Sequence, residues 1–409
     1  MSETRKYDVV VWGATGFTGA LVAEYLRDQY GVGKELRWAI AGRNELKLEE
    51  LKHELGVECA ELPILTADSH DDASLRELAK STSVVITTVG PYALYGSELV
   101  AACVENGTHY CDLAGEPQWI RRMIDAHADS AAKTGARIVH CCGFDSVPMD
   151  IGTWFLQEQA MQRHGSYCES IKLLVKATKG GASGGTIASM MNLIKESRAD
   201  RNVLKVLTNP YALNPEGERE GPDGREQHDI RFNDDVKSWT APFVMAAINT
   251  RVVRRSHALL GYPWGKNFQY DEAMITGRGP GGWAKAAAVS AGLGAIVAGA
   301  SFDTTRGLMQ RFVLPKPGEG PSEEARESGF FNLMQIGKLP NGDSIRTKIT
   351  GDRDPGYGST SKMLSECAVC LAKDDLPAGG GVWTPASVMA KPLLKRLTEN
   401  AGLTFEVVD

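Results

Sequence analysis

The stretch that decides the fold reads Gly13-Ala14-Thr15-Gly16-Phe17-Thr18-Gly19. An apolar run, Tyr7 to Trp12, precedes it and is typical of a buried strand, and a helical pattern follows it. A strand, a glycine-spaced turn and a helix can hold a pyrophosphate, because a helix N-terminus offers free N–H groups. We expect Gly13 to permit the tight turn, Gly16 the close approach of the phosphate, and Gly19 the packing of helix on strand.

The residues after this stretch complete a βαβ unit. The helical spacing is carried by Leu21, Val22, Tyr25 and Leu26. A second apolar run covers residues 36–41, so the unit has roughly the expected 30 residues. Because the glycines, both strands and the helix agree, the sequence predicts nucleotide binding rather than a glycine-rich turn of another α/β protein.

The end of the second predicted strand indicates which nucleotide binds. An NAD site usually has Asp or Glu here, which accepts hydrogen bonds from the ribose 2′-hydroxyl. This chain has Gly42-Arg43 instead. A guanidinium would pair with a 2′-phosphate, which a carboxylate would repel. The sequence therefore predicts NADP(H) as the cofactor, and the alternative is that Arg43 is a solvated surface arginine.

Composition limits the classes of function. The length, 409 residues, suggests two domains, and the hydrophobic fraction of 43% suits a globular protein with a core. The net charge is −6 and there is no basic run, so nucleic-acid binding is disfavoured. The stretch that precedes the first apolar run, Met1 to Lys6, is short and polar and does not resemble a signal peptide. We therefore expect a cytoplasmic protein.

The eight cysteines are expected to be buried, reduced thiols. Cys367 and Cys370 form a C-x-x-C, but inside a helical pattern rather than at a helix start, where the dipole would lower a thiol pKa. The runs 109–112 and 140–142 look ligand-rich, yet neighbouring side chains on a strand point to opposite faces. We interpret both runs as core packing, and no metal site is predicted.

Strand and helix patterns alternate through the first third of the chain, which predicts a doubly wound, mainly parallel sheet. In such sheets ligands gather beyond the carboxyl ends of the strands. Four segments fall there: Asp68-Ser69, Gly90-Pro91-Tyr92, Asp112 to Glu116, and Gly143-Phe144-Asp145-Ser146. Each is otherwise an ordinary turn. We expect the cofactor to contact the glycine stretch, Gly42-Arg43, Asp68, Val89, Gly90 and Pro91.

The regular alternation ends after Pro148. Asn209 to Asp229 is polar and rich in Gly, Pro and Glu, which predicts a long surface loop or a lid. Trp283 to Phe302 is rich in Ala, Gly and Val, and its only charge is Lys285. About fifteen uncharged residues fall short of a membrane span. We expect a buried or channel-lining helix, with a lipid-facing helix and a true span as alternatives.

Short stretches along nearly the whole chain form an ordered set: Gly13–Gly19, Ala41-Gly42-Arg43-Asn44, Gly90-Pro91-Tyr92, Tyr110-Cys111-Asp112-Leu113-Ala114-Gly115-Glu116, Gly143-Phe144-Asp145-Ser146-Val147-Pro148, Ser183-Gly184-Gly185-Thr186, Pro317-Gly318-Glu319-Gly320-Pro321, Gly351–Gly358 and Thr384-Pro385-Ala386. In this order they resemble the saccharopine dehydrogenase-like oxidoreductases. Within that group they look most like the trans-acting enoyl reductases of mycobacterial lipid synthesis.

The resemblance implies an NADP-linked reductase with a Rossmann-type sheet and a second, smaller α+β mixed-sheet domain inserted into it. We expect the dinucleotide-binding domain over residues 1–147, the substrate domain over 148–350, and C-terminal helices over 351–409 that return to the first domain. In the mycobacterial relatives the substrate is an unsaturated acyl chain delivered by a polyketide synthase. A homodimer and a peripheral membrane contact stay open.

Enoyl reduction needs hydrogen-bond donors at the acyl oxygen, where charge develops, and a proton source near the α-carbon. Tyr92, Asp145, Ser146 and Tyr357 lie in loops that could face the nicotinamide. Tyr92 or Tyr357 could donate the proton, and Ser146 could polarise the carbonyl. Each of the four is otherwise a structural turn residue.

Two other functions compete with enoyl reduction. One is a saccharopine-type dehydrogenase that acts on an amino-acid-derived imine. The other is a nucleotide-binding scaffold or redox-sensing regulator with little chemistry. NADPH oxidation that depends on an enoyl thioester would distinguish enoyl reduction from these two other functions.

The cofactor assignment predicts the behaviour of Arg43→Ala. Loss of the guanidinium should raise the KM for NADPH far more than the KM for NADH, because only NADPH carries the 2′-phosphate. Steady-state kinetics with both cofactors measure this difference. Equal effects on the two cofactors would contradict the assignment.

Overall fold

The computed structural model describes residues 5–181, 184–301 and 320–408. The strands in chain order are β1 (Tyr7–Trp12), β2 (Trp38–Gly42), β3 (Ile64–Thr66), β4 (Thr82–Thr87), β5 (His109–Cys111), β6 (Arg137–Val139), β7 (Ser170–Lys179), β8 (Arg231–Asn233), β9 (Ser238–Ala241), β10 (Gln269–Gly277), β11 (Phe330–Lys338), β12 (Ser344–Gly351), β13 (Gly381–Trp383) and β14 (Leu403–Val408). Ser183, Phe302 and Pro317 to Glu319, which the sequence analysis singled out, lie outside the described residues.

The helices in chain order are α1 (Phe17–Tyr30), α2 (Glu45–Glu54), α3 (Asp72–Ser81), α4 (Tyr92–Tyr95), α5 (Ser97–Glu105), α6 (Pro117–Thr134), α7 (Val147–His164), α8 (Gly184–Ala199), α9 (Arg201–Thr208), α10 (Ala246–Leu259), α11 (Gly279–Ser301), α12 (Glu323–Glu327), α13 (Gly358–Lys373) and α14 (Pro385–Glu399). The helices predicted in the first third all occur, with bounds that shift by a few residues.

The first sheet is parallel and has the strand order β13-β6-β5-β4-β1-β2-β3. This confirms the predicted doubly wound sheet. Strand β1 lies near its centre, and all six of its residues are buried. Val9 and Val11 face the helices α1 and α13, whereas Val10 and Trp12 face α3, α5 and α6. Burial on both faces explains why the strand is a continuous apolar run rather than an alternating one.

The second sheet is mixed, as the resemblance implies, with the order β14-β12-β11-β7-β10-β9-β8. Strands β7 and β10 are parallel, and the other described pairs are antiparallel. Along β12 buried residues alternate with half-buried or exposed ones, so one face points into the core beneath α7. The domain limits at residues 147 and 350 stay predictions.

The chain after residue 351 contributes to both sheets. Helix α13 packs on α1 and on β4 and β5 of the parallel sheet, while the domain assignment of residues 351–409 stays a prediction. The sequence analysis did not predict β13, which has only three residues and extends the parallel sheet beyond β6. Nor did it predict β14, which pairs with β12 in the mixed sheet.

Helix α11 is not the buried helix that the sequence analysis expected. It packs on β9, β10 and α8 along one side, but much of its length is exposed, including Trp283 at 50% and Ile296 at 40%. Each of its many Ala and Gly residues exposes little apolar area. The apolar composition of the helix therefore does not require that the helix be buried. In the three described ranges, no helix combines the length and apolar character that crossing a membrane requires.

The polar segment 209–229 is a surface loop held by buried ion pairs from α10. Arg254 Nε lies 2.6 Å from Asp223 Oδ2, and both side chains are almost fully buried. Arg251 Nη1 lies 3.0 Å from Glu226 Oε1, and Arg251 Nη2 donates to Leu207 O at 2.7 Å, just before the segment begins. Arg254 and Arg255 also donate to Pro210 O and Leu213 O, so α10 holds both ends of the segment and its role as a lid is disfavoured.

The eight cysteines are all buried and free, as predicted. Cys367 and Cys370 lie in the middle of α13 and belong to the core between α13 and the parallel sheet. His109 Nδ1 accepts a hydrogen bond from Arg137 N at 3.1 Å, so the ligand-rich run at β5 has a structural partner. The prediction of core packing is confirmed for these residues.

Loss of the buried Arg254–Asp223 ion pair, which holds segment 209–229, should destabilise the protein. Arg254→Met leaves Asp223 buried without its cation, so the free energy of unfolding should fall by about 3–5 kcal/mol. Urea denaturation measures this change. Arg231→Met is the matched control, because the Arg231–Asp229 pair is half exposed and should contribute less than about 1 kcal/mol. Equal losses in the two variants would contradict the buried anchor.

Candidate functional site

The glycine stretch forms a tight turn between β1 and α1. Gly13 has a φ of +84°, and its N–H donates to Ala41 O on β2 at 2.9 Å. The N–H of Gly16, the residue before α1, donates to Gly13 O at 3.0 Å. No described side chain caps the N-terminus of α1. The first N–H groups of the helix are therefore open to an anion.

Two glycines of this turn leave no space for a side chain. A Cβ on Gly13 would lie 2.5 Å from Val89 Cγ2, beyond the end of β4. A Cβ on Gly19 would lie 2.2 Å from the backbone oxygen of Gly13. The expected roles of Gly13 in the turn and of Gly19 in packing the helix on the strand agree with this geometry.

Arg43 stands at the end of β2, next to this turn. Its side chain is exposed and has no hydrogen-bond or ion-pair partner among the described residues. The following residue, Asn44, caps α2 by accepting from Lys47 N at 3.1 Å. Asp68, also exposed, accepts from His70 N at 2.9 Å beyond β3. The arrangement leaves Arg43 free to meet a 2′-phosphate, so these residues fit NADP(H) at this end of the sheet.

Glu116 joins three elements on the other half of the sheet edge. Its carboxylate is buried and accepts from Tyr92 N at 2.8 Å, from Ala93 N at 3.0 Å and from Ser189 Oγ at 2.9 Å. It therefore occupies the N-terminus of α4 and connects α8 to the loop after β4. The sequence places Glu116 beyond the carboxyl end of a predicted strand, but no local pattern indicates its partner on α8.

Tyr92 is buried, and both hydrogen-bonding positions of its hydroxyl are used. The hydroxyl donates to Thr87 O and accepts from Leu113 N, each at 3.1 Å. Its ring stacks on Trp119 with a centroid distance of 5.5 Å. Burial raises the pKa of Tyr92 well above its usual value. Its role as proton donor stays a prediction, and these contacts weigh against it.

Asp112 holds the loops that follow β5 and β6. One of its oxygens accepts from Ala114 N and Cys141 N, both at 3.0 Å. The other lies 2.9 Å from Tyr110 Oη, which donates to it, and 2.7 Å from His140 Nδ1. Since Asp112 is fully buried, these contacts fix the start of the loop 141–146 firmly.

The loop 141–146 presents Asp145. This carboxyl is half-buried and has no hydrogen-bond partner among the described residues. Burial raises the pKa of Asp145 to about 6. Ser146, next to it, is fully buried and donates from Oγ to Asn249 Oδ1 at 3.1 Å. The hydroxyl proton of Ser146 is therefore committed to Asn249, a residue that the sequence analysis did not single out.

Tyr357 lies where the glycine turn meets the start of α13. Its buried ring contacts the edge of Phe17 at a centroid distance of 5.2 Å, and the Arg326 guanidinium lies 5.5 Å from the same Phe17 ring. Thr360 Oγ1, one turn into α13, accepts from Phe144 N at 2.9 Å. The structure thus brings Tyr357, Asp145 and Ser146 to one region, with Tyr92 beneath the neighbouring loop. The catalytic roles of all four stay predictions.

Comparison with known proteins places these features in a family. Residues 9–139 match the saccharopine dehydrogenase NADP-binding domain. A candidate trans-acting enoyl reductase of Mycobacterium tuberculosis is 41% identical, over 98% of this chain and 97% of that protein. The trans-acting enoyl reductase of Mycobacterium ulcerans is 36% identical over 97% of both chains.

A solved structure has the same fold. The apo saccharopine dehydrogenase (L-Glu forming) of Saccharomyces cerevisiae aligns with a TM-score of 0.55 at 12% identity, over 98% of this chain and 100% of the other. At this identity the likeness concerns the fold alone. It agrees with a parallel dinucleotide-binding sheet beside a mixed sheet.

The tight contact at Gly19 predicts the effect of one added methyl group. Gly19→Ala would force α1 away from β1, so the free energy of unfolding should fall by about 1–3 kcal/mol and NADPH affinity should fall with it. Gly294→Ala in α11 is the matched control, because nothing lies within 4 Å of its added Cβ. Denaturation and fluorescence titration with NADPH measure both effects. Normal NADPH affinity in Gly19→Ala would contradict the role of this contact.

The raised pKa of Asp145 predicts a pH-dependent stability. The folded state holds the proton more tightly than the unfolded chain, so the carboxyl stabilises the fold below pH 4, and this contribution is lost as the pH rises through about 6. Asp145→Asn stays neutral and should be more stable than the wild type above pH 7, by about 1–2 kcal/mol. Urea denaturation at pH 4, 6 and 8 tests this, and a pH-independent difference would contradict it.

Proposed function

The chain belongs to the trans-acting enoyl reductases of the saccharopine dehydrogenase-like family, and we propose that it reduces the α,β double bond of an acyl thioester from polyketide synthesis. As an oxidoreductase with this NADP-binding domain, it is an NADPH-dependent reductase. The likeness to named enoyl reductases over the whole chain carries the proposal of substrate. The trans-acting name of the relatives supports a separate polyketide synthase as the source of the acyl chain.

When bound, the cofactor supplies a hydride, which in this reaction goes to the β-carbon of the enoyl group. The chain's own residues must then protonate the α-carbon. Asp145 is the candidate we favour, because its carboxyl has no described partner and its pKa of about 6 is close to neutral pH. The hydroxyl groups of Tyr92 and Ser146 already donate to Thr87 O and Asn249 Oδ1.

One neighbouring feature, the exposed apolar helix α11, supports an apolar substrate. Helix α8 reaches Glu116 through Ser189 and packs on the exposed apolar helix α11. An acyl chain could lie along this surface.

Isotope transfer tests the reaction directly. The purified protein is incubated with NADPH deuterated at the transferred position and a trans-2-enoyl pantetheine thioester. We expect oxidation of NADPH and a saturated product that carries one deuterium on the β-carbon. In D₂O with unlabelled NADPH, the deuterium should appear on the α-carbon. Mass spectrometry and NMR of the product locate each label.

Two control reactions separate the alternatives. A 2-oxo acid with ammonia supplies an amino-acid-type imine, and turnover of this substrate alone would support a saccharopine-type dehydrogenase instead. Binding of NADPH without turnover of either substrate would support a scaffold or regulator. Either of these two results would overturn the proposal of enoyl reduction.

Substitution of Asp145 tests the proton source. Asp145→Asn should lower kcat by about 10²–10⁴-fold, because the amide cannot deliver a proton, while the affinity for NADPH should change little. Tyr92→Phe and Tyr357→Phe are the matched controls, since each removes only a hydroxyl. A larger loss of kcat in either Phe variant than in Asp145→Asn would identify that tyrosine as the donor instead.

A further inference from the structure

Ser146 has a backbone conformation that side chains rarely adopt. Its φ is 129° and its ψ is −32°, at the residue before α7. Cys141, at the other end of the same loop, also has a positive φ, of 63°. Such conformations persist only where the surrounding structure enforces them, and they are frequent at functional sites.

A chain of hydrogen bonds runs from Ser146 into the mixed sheet. Ser146 Oγ donates to Asn249 Oδ1 on α10 at 3.1 Å, and Asn249 Nδ2 donates to Glu272 Oε2 on β10 at 3.0 Å. Tyr270 Oη donates to the other oxygen of Glu272, also at 3.0 Å. Ser146, Asn249 and Glu272 are fully buried, and Tyr270 is almost so. The chain thus connects the loop after β6 to the second sheet.

This chain is not what packing alone would require. Burial of polar groups is unfavourable unless they pair with each other, and apolar side chains of similar size would stabilise the same space more simply. Burial raises the pKa of Glu272 to about 8, which shows how unfavourable its charged form is there. The role of these hydrogen bonds is therefore to fix a local conformation. The strained conformation in contact with them is the positive-φ backbone of Ser146.

We propose that Asn249 and Glu272 are positioning residues, which hold Ser146 in its positive-φ conformation and so direct the carboxyl of the preceding Asp145 into the candidate site. The inference rests on the proposed role of Asp145 in enoyl reduction. Asn249 and Glu272 are both fully buried, so their proposed role is to position Ser146 rather than to bind the substrate. Their effect passes through the backbone of the loop 141–146, whose other end is fixed by Asp112.

Glycine at position 146 gives the sharpest test, because glycine adopts a φ of 129° without a side chain to be held. If the hydrogen bonds serve this conformation, kcat should depend on Glu272 less in Ser146→Gly than in the wild type. The variants are Glu272→Leu, Glu272→Gln, Ser146→Gly and the double variant Ser146→Gly/Glu272→Leu. Gln157→Leu is the matched control, since Gln157 is equally buried and bonds only to Cys168.

We expect Glu272→Leu to lower kcat about 10–100-fold and to change the KM for NADPH less than about 3-fold, because a displaced catalytic group slows chemistry more than cofactor binding. Glu272→Gln should stay within about 3-fold of the wild type, since a reoriented amide can keep the chain. In the Ser146→Gly background, Glu272→Leu should lower kcat less than about 3-fold.

Hydrogen exchange gives a readout that needs no substrate. In the NADPH complex, the amides of residues 144–150 should exchange at least about 10-fold faster in Glu272→Leu than in the wild type, but not in Gln157→Leu. If the wild type reduces no enoyl thioester, the proposed function fails, and exchange alone then decides whether the chain holds the loop.

Three results would overturn the inference. The first is unchanged exchange at residues 144–150 in Glu272→Leu. The second is a loss of kcat in Glu272→Leu no larger than in Gln157→Leu. The third is an equal loss of kcat from Glu272→Leu in the wild-type and Ser146→Gly backgrounds.

Discussion

The close approach of α1 to the end of β1 is the constraint on which the rest of this structure depends. The helix can lie against the turn only because Gly19 has no side chain to meet Gly13 O. This approach points the open N-terminus of the helix at the carboxyl ends of β1 and β4, where the strand order reverses, and dinucleotides bind at such switch points. The candidate site residues are described relative to that point, from Arg43 after β2 to Asp145 in the loop after β6.

Buried carboxylates organise the second half of the site. Asp112 and Glu116 each accept backbone N–H groups from the loops that surround them, and each is fully or almost fully buried. A buried carboxylate that accepts several such bonds satisfies loop N–H groups that have no partner in a helix or a sheet, and so fixes the conformation of the loop. The loops after β4, β5 and β6 therefore form a framework that the cofactor does not need to create. Asp145 stands apart from that framework because its carboxyl has no described partner.

Much of this could be predicted from the sequence, and the remainder has physical reasons. The glycine stretch and the alternating pattern predicted the parallel sheet, because local spacing determines both. The order of short stretches predicted the family. The exposure of α11 could not be inferred, because composition does not tell which apolar helices find partners. The contacts of Ser146 with Asn249, and of Glu116 with Ser189, join residues 103 and 73 positions apart, and no local pattern encodes such pairs. Nor does any local pattern indicate that the Tyr92 and Ser146 hydroxyl groups, expected as candidates for catalysis, donate to Thr87 O and Asn249 Oδ1.

Strands β13 and β14 have a consequence for how the molecule is made. The first completes one edge of the parallel sheet and the second completes one edge of the mixed sheet, and both come late in chain order. During synthesis neither sheet can be complete until almost all of the described chain has emerged, so β6 and β12 spend that time as open edges. Open edges pair readily with other chains. The nascent protein thus carries these two open edges until residues 381–408 have emerged, and a chaperone that covers strand edges would matter most before that point.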